Sequence, residues 1–525
     1  MTRKTTARGA VVAPQPEAAE AGWEVLRDGG NAFDAAVTVA LVQCVVDPVN
    51  TSLGGSGCAV FFAASTGKAG SLSFMSRAGT RVRPDMWAAR GETVDLGYTG
   101  ACVPGNVRGL STLLERYGTM PWARVLSPAL ELARGGFPAP RQMVREWHTA
   151  ALGNSDPYMR LVTPGAQRAY LKARSPYSLG ELFRQPDLAE TLALLAAEGP
   201  DAFYQGDFAA RVAEDSEANG GWLAYQDFAA YQARWEEPVT GAYRSLSYYG
   251  ATPPASGAVV LHALRILSGY DLASLGHNSP VYLHLLAETF REVFAARQIY
   301  LGDGAPYAQF ISEEAAARSR SRIRLDRVTP EPPVPSLPPD TGTTHLAAMD
   351  SAGNAVSLTH SIGNPFGSGV VPPGTGVLFN SHMDAFTAKP GGPNEIRPGK
   401  ARRTAISSCL LLRDERPVLA VGASGYARII TATLQVILNA VDFQMTAMEA
   451  VAAPRLHWMD GRLGLERRLP EATAQALRAM GHRVDRSVHG LDPGFALCHL
   501  LQAGPVTAAL TGACDPRAEG MALIV

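Results

Sequence analysis

The chain has 525 residues, with 47 lysines and arginines against 48 aspartates and glutamates. That balance excludes the basic surface of a nucleic-acid binder and a polybasic membrane patch. Apolar residues make up 46% and charged ones only 18%, below the roughly 25% charge of an average soluble domain, so disorder is excluded for most of the chain.

Residues 1–10 carry Arg3, Lys4 and Arg8, but Pro14 and Pro16 follow where a signal peptide has its apolar stretch, so the cytoplasm is the expected compartment. Residues 17–27 predict a helix stopped by Gly29 and Gly30, and Asn31 then caps a second helix over 32–46. Its apolar run is too short for the roughly 20 residues of a membrane span and reads as a buried helix. A glycine-rich break at 54–57 precedes a strand at 58–63. From 105 to 320 the pattern is mainly helical, for example at 188–198 and 281–300. Another helix is expected at 128–134, with Ser127 as cap and Pro128 as first helical residue. Segment 330–342 holds six prolines in thirteen residues and predicts a stiff, exposed connector. Beyond it, strands are expected at 344–349 and 355–361 around a hairpin turn, then at 408–412, 418–421 and 506–510, with a helix at 428–441. The six cysteines form no CxxC and sit among apolar neighbours, which predicts reduced core residues.

Gly342-Thr343-Thr344-His345 opens a strand directly after the connector. If the bond before Thr343 breaks, one residue holds both a hydroxyl nucleophile and an α-amine with pKa near 7.7–8, able to take the hydroxyl proton. The Thr343 hydroxyl is itself positioned to attack the Gly342 carbonyl. A Thr-Thr pair at a strand start is also ordinary β-propensity, so the residues alone leave both readings open. Other motifs point nowhere: Ser65 to Lys68 spells SxxK in a turn rather than on a helix, and Gly422 to Tyr426 fails GxSxG at its last position. With no HExxH and no Rossmann glycine pattern, neither metal nor cofactor is expected.

Nine blocks in order resemble the gamma-glutamyltranspeptidase family of N-terminal-nucleophile hydrolases. They are GGNAFDAAV (29–37), SLGGSGCAVFF (52–62), VPGNVRGL (103–110), PPASGAVV (253–260), HLLAETFREVFAARQIYLGD (284–303), TTHLAAMDSAGNAVSLTHSIGNPFGSG (343–369), NSHMDAFTAKPG (380–391), GASGYARI (422–429) and GACDPRAEG (512–520). The resemblance implies an α+β fold of four αββα layers and self-cleavage between Gly342 and Thr343. A large subunit, 1–342, and a small one, 343–525, would remain associated. It further implies Thr343 as nucleophile, Thr344 and Ser361 as its positioners, oxyanion amides at Gly425 and Tyr426, and Arg77 as the residue holding a substrate carboxylate.

Departures from the family pattern narrow the substrate. The family's second pocket aspartate, which grips the substrate α-ammonium, is Ala385 here, after a retained Asp384. One of two adjacent pocket serines becomes Thr404 and the other Ala405, and a substrate-binding asparagine becomes Gly363. His345 is expected to be a strand histidine bonded to a neighbouring carbonyl, and Arg402 and Arg403 to be solvated. The reading is thus an amide hydrolase acting on a small carboxylate-bearing acyl group, with water as acceptor, no nucleic-acid or membrane partner, and homo-oligomerisation left open. Gamma-glutamyl transfer with substitute residues, or an uncut non-catalytic binding protein, are the alternatives.

Overall fold

The computed structural model describes residues 8–83, 85, 96–152, 160–172, 175–330, 342–387, 390–504 and 509–525. Two large antiparallel sheets dominate them, one of seven strands and one of six. The chain lays β1 (Gly9–Ala13), β2 (Ser56–Ala63), β3 (Lys68–Phe74) and β4 (Arg234–Glu236) into the first, then β5 (Val239–Tyr243) and β6 (Leu246–Gly250) into the second. It returns to the first with β7 (Gly342–Asp350) and β8 (Ala355–Gly363). The second is completed by β9 (Cys409–Arg413), β10 (Arg416–Ser424), β11 (Leu497–Ala503) and β12 (Leu510–Ala513), and β13 (Met521–Ile524) closes the first. The orders are β13-β1-β7-β8-β2-β3-β4 and β12-β11-β10-β9-β6-β5.

Small apolar side chains from both sheets, including Ala347, Met349, Ala355, Leu410 and Ala420, fill the layer between them. Helices α1 (Pro16–Arg27) and α2 (Ala32–Val46) close the outer face of the first sheet. On the outer face of the second lie α3 (Gly257–Leu267), α4 (Pro280–Tyr300) and α5 (Arg428–Val441). This is the expected αββα sandwich. Both sheets contain strands from before and after Gly342, paired side by side, so the two segments share one core.

All fifteen residues of α2 are buried because it lies between the first sheet and other helices. Asn31 caps it in a reciprocal box with Asp34, which satisfies amides that a buried helix end cannot give to water. Period-2 alternation on β7 sends Leu346 and Ala348 to the helices and Ala347 and Met349 to the second sheet.

Several sequence expectations change. Pro128 lies inside a helix, Trp122–Gly135, rather than opening one. The Arg124 carbonyl, which no proline N–H can reach, accepts instead from the Ser127 hydroxyl at 2.9 Å. Strands β4, β5 and β6 interrupt the region expected to be mainly helical. The connector lies outside the described residues over 331–341, as does 506–508 of the strand expected at 506–510.

Candidate active site

Pairing of β7 with β8 sets Thr343 opposite Ser361, His345 opposite Thr359 and Ala347 opposite Ser357. Both members of each pair face the second sheet. Ser361 gathers three groups: its hydroxyl donates to the Gly342 carbonyl oxygen at 2.5 Å, and accepts from Thr343 Oγ1 at 3.1 Å and from the Gly363 amide at 3.0 Å. The carbonyl of the bond expected to be cut, the expected nucleophile and its expected positioner therefore form one buried cluster. Thr344 points the other way. Its Oγ1 accepts from Gln43 Nε2 at 3.1 Å and Gln15 Nε2 at 3.3 Å, so it holds β7 from the helix side without touching the Thr343 hydroxyl.

His345 is buried with Nδ1 2.8 Å from Thr359 Oγ1, and its ring stacks on His499. Its partner is thus a hydroxyl rather than the expected carbonyl, because the alternation aims it across the layer instead of along its own sheet. Burial, with the neighbouring His499, pushes its pKa well below the usual value; the ring stays neutral and supports rather than donates protons. Gly422 on β10 lies against this imidazole: a Cβ there would come within 2.4 Å of the ring. Just past the end of β10 come Gly425 and Tyr426, both with positive φ, 124° and 63°. A left-handed tyrosine is uncommon, and the conformation keeps the amide pair of a glycine-glycine turn despite the side chain.

Of the expected substrate residues, Gly363 joins the cluster directly, through its amide. With φ of 94° and Ser381 Oγ 2.4 Å from where a Cβ would sit, this position has no room for an asparagine as the chain stands. The adjacent Asn364 donates to Asp384 at 2.8 Å instead. His382, missed in the sequence although it lies in a quoted block, is buried with Nδ1 2.6 Å from Ser76 Oγ, next to Arg77. Arg77 Nη1 donates to Asp303 at 3.3 Å and to the Gly399 carbonyl at 3.1 Å. Its Nε and Nη2 have no hydrogen-bond partner among the described residues. Ala385 offers only its carbonyl, to Asn394. Thr404 and Ala405 are buried beside the second sheet, where the Thr404 carbonyl accepts from Ser256 at 2.6 Å. Arg402 and Arg403 are buried, which corrects the expectation of solvated side chains. Arg403 reaches the Arg297 carbonyl at the end of α4, and Arg402 lies near enough to His382 to depress its basicity further.

One group has metal-ligand proximity among the described residues: His284, Glu288 and His482. Glu288 is taken by Arg291 at 2.5 Å and the Thr329 amide at 3.0 Å, while His284 spans His482 and the Arg324 carbonyl. A guanidinium on the only carboxylate makes this an anchor for the chain ahead of the connector, not a cation site. Cavities of about 630 and 330 Å³ open elsewhere, the larger by Arg244 and Tyr270, the smaller by Tyr300 and Phe310, and no expected site residue lines either.

Comparison with known proteins shows the family of the chain. The sequence profile described as gamma-glutamyltranspeptidase matches residues 18–525. The chain is 35% identical over 529 residues to the acylase ACY 1 proenzyme of Pseudomonas sp. (strain SE83), covering 98% of this chain and 93% of that one. It is 31% identical over 539 residues to the glutathione hydrolase proenzyme of Escherichia coli (strain K12), covering 97% and 90%. Cephalosporin acylase from Bacillus halodurans superposes with a TM-score of 0.90 at 28% identity, covering 99% of this chain and 96% of that one. The chain therefore belongs to the gamma-glutamyltranspeptidase family.

Proposed function

We propose that the chain cleaves itself before Thr343, and that the new N-terminal threonine hydrolyses amides of a small carboxylate-bearing acyl group through an acyl-enzyme. The observation that carries this is the cluster of Thr343 Oγ1, Ser361 Oγ and the Gly342 carbonyl oxygen. In self-cleavage, Thr343 Oγ1 attacks the Gly342 carbonyl carbon, the peptide C–N bond breaks, and the nitrogen takes the hydroxyl proton. Water then hydrolyses the resulting ester, leaving a free Thr343 amine and a Gly342 carboxylate. In turnover, that amine takes the Thr343 hydroxyl proton as Oγ1 attacks the substrate amide, and returns it to the departing amine. Water hydrolyses the acyl ester and regenerates Thr343. The Gly425 and Tyr426 amides serve the oxyanion.

Arg77 suits the acyl carboxylate, since Nε and Nη2 form the bidentate edge of a guanidinium. Asp303 holds the other side of the group in place. Ala385 supplies no charge for an α-ammonium. Relatives named acylase and cephalosporin acylase support an N-acyl amide whose amine is carried on a β-lactam nucleus. A second reading, gamma-glutamyl hydrolysis, draws on relatives named glutathione hydrolase and on the retained Asp384.

Paired kinetics on glutaryl and gamma-glutamyl anilides of equal length separate the two. An unpartnered buried ammonium costs about 1–3 kcal/mol, roughly ten- to a hundredfold in kcat/KM, so the glutaryl compound is expected to react faster. Ala385→Asp should narrow that gap. Faster turnover of the gamma-glutamyl anilide by the unaltered enzyme would favour the second reading.

A further inference from the structure

Behind the nucleophile, on the helix side of β7, lies a chain of buried polar groups that the proposed reaction does not use. Asp47, at the end of α2, accepts from Gln15 Nε2 and from Asn50 Nδ2 at 2.8 Å. Gln43 Nε2 donates to Gln15 Oε1 at 2.7 Å, and His360 Nε2 lies 2.9 Å from Gln43 Oε1. At the far end, Thr51 Oγ1 is 3.0 Å and Asn106 Nδ2 3.4 Å from His360 Nδ1. An amide nitrogen can only donate, so Nδ1 accepts and Nε2 carries the proton. Every donor in the chain therefore points toward Asp47, as an ionised carboxylate demands. Both glutamine nitrogens also donate to Thr344 Oγ1. The same carboxylate holds Asn50, whose carbonyl accepts from the Ile362 amide between Ser361 and Gly363.

We propose that Asp47 is a positioning residue for Thr343, and that gain of a proton by Asp47 reverses the hydrogen-bond chain that grips Thr344. The inference rests on self-cleavage at Thr343 and goes beyond it to a control on that step. A protonated Asp47 becomes a donor, and the acceptor in reach is Gln15 Oε1. The Gln15 amide must then turn over, the Gln43 amide follows, and His360 exchanges its Nε2 proton for one on Nδ1, donating to Thr51. Thr344 then faces two carbonyl oxygens and changes from acceptor to donor. One proton enters and none leaves, so the imidazole stays neutral throughout.

The groups facing Asp47 favour such a switch near neutral pH. The donors to its carboxylate, Gln15 and Asn50, are neutral amides, Glu146 on the helix Arg141–Leu152 adds charge of the same sign, and Cys44 and His360 are held neutral by burial. Burial raises Asp47 to about 8. The structure shows the ionised direction together with the Ser361 cluster in place, so self-cleavage should speed up as Asp47 loses its proton.

Self-cleavage separates this group from the α-amine, because before cleavage the Thr343 nitrogen is an amide and does not titrate. Full-length chain made by cell-free translation would be sampled in time from pH 6 to 9.5 for conversion into two fragments. The unaltered chain should show an inflection in log rate near pH 8, with about tenfold loss per unit below it. Asp47→Asn should lack that inflection. Gln43→Met, which keeps Asp47 but cuts the chain, should lack it too and decides the matter if Asp47→Asn fails to fold. An inflection unchanged in the folded variants, or absent from the unaltered chain, would overturn the proposal. A chain that never cleaves would overturn the self-processing reading beneath it.

Discussion

The Ser361 hydroxyl sits 2.5 Å from the carbonyl oxygen of Gly342 and donates to it. In the proposed self-cleavage that is the oxygen on which charge develops, and the same hydroxyl accepts from Thr343 Oγ1. Loss of one such donor costs about 10²–10³ in rate. Ser361→Ala should slow self-cleavage by that order, and Ser361→Thr, which restores the hydroxyl, should recover most of it. Rates of fragment appearance on a denaturing gel check this; an unimpaired Ser361→Ala chain would remove Ser361 from the mechanism.

Arg77 donates through Nη1 to Asp303 and to the Gly399 carbonyl, and the proposed reaction assigns its Nε and Nη2 to the substrate carboxylate. Lysine reproduces the charge but not the fork. Arg77→Lys should lower kcat/KM for a carboxylate-bearing acyl amide about tenfold or more, the scale of a charge-assisted pair, while self-cleavage proceeds at its normal rate. Equal kcat/KM in the variant would make Arg77 purely structural.

At the end of β10 the two adjacent positive-φ residues respond oppositely to substitution. A Cβ on Gly425 would lie 2.7 Å from the Ala496 backbone and 2.9 Å from its Cβ, at a φ that side chains rarely adopt. Gly425→Ala should therefore destabilise the protein by about 1–3 kcal/mol and impair turnover. Tyr426→Gly should keep the amide and fold at least as stably apart from the lost ring packing. Thermal melts and kcat measured on both variants provide the comparison.

Asp47 also makes a stability prediction. Its folded pKa, about 8, is raised from 3.8 by burial. Between those values the folded chain keeps a proton that the unfolded chain has lost. The favourable contribution is therefore complete below the unfolded pKa and disappears as pH rises through the folded one. Asp47→Asn should flatten the fall in melting temperature between about pH 5 and 9. Parallel melting curves for the two proteins would contradict this assignment.

Much of the architecture was legible because its signals are local. Asn31 followed by an apolar run marks α2, and the turn after Asp350 marks the β7–β8 hairpin. The same hairpin register sets Thr343 opposite Ser361, eighteen residues on, but that these two hydroxyls matter came only from the family resemblance. Strand β1 escaped the reading because a short, fully covered strand carries no alternation, and β13 because its four residues, partly or fully exposed, show none either. Pro128 misled because a serine hydroxyl can serve the carbonyl that proline leaves unpaired. Arg402 and Arg403 looked solvated because charge alone predicts exposure, whereas the carbonyls that accept from Arg403 come from a helix a hundred residues earlier. The Asp47 chain was equally hidden: its members are glutamines, a histidine and threonines with no motif, joined only by the packing of α1 and α2 on β7.

Mass spectrometry of the purified full-length chain beside Thr343→Ala tests the central claim most directly. The account predicts two polypeptides of 342 and 183 residues from the unaltered sequence, the smaller beginning at Thr343, and a single uncut, inactive chain from the variant. A fully active enzyme that remains one intact polypeptide would contradict it, because the base of the proposed reaction is the amine that cleavage releases.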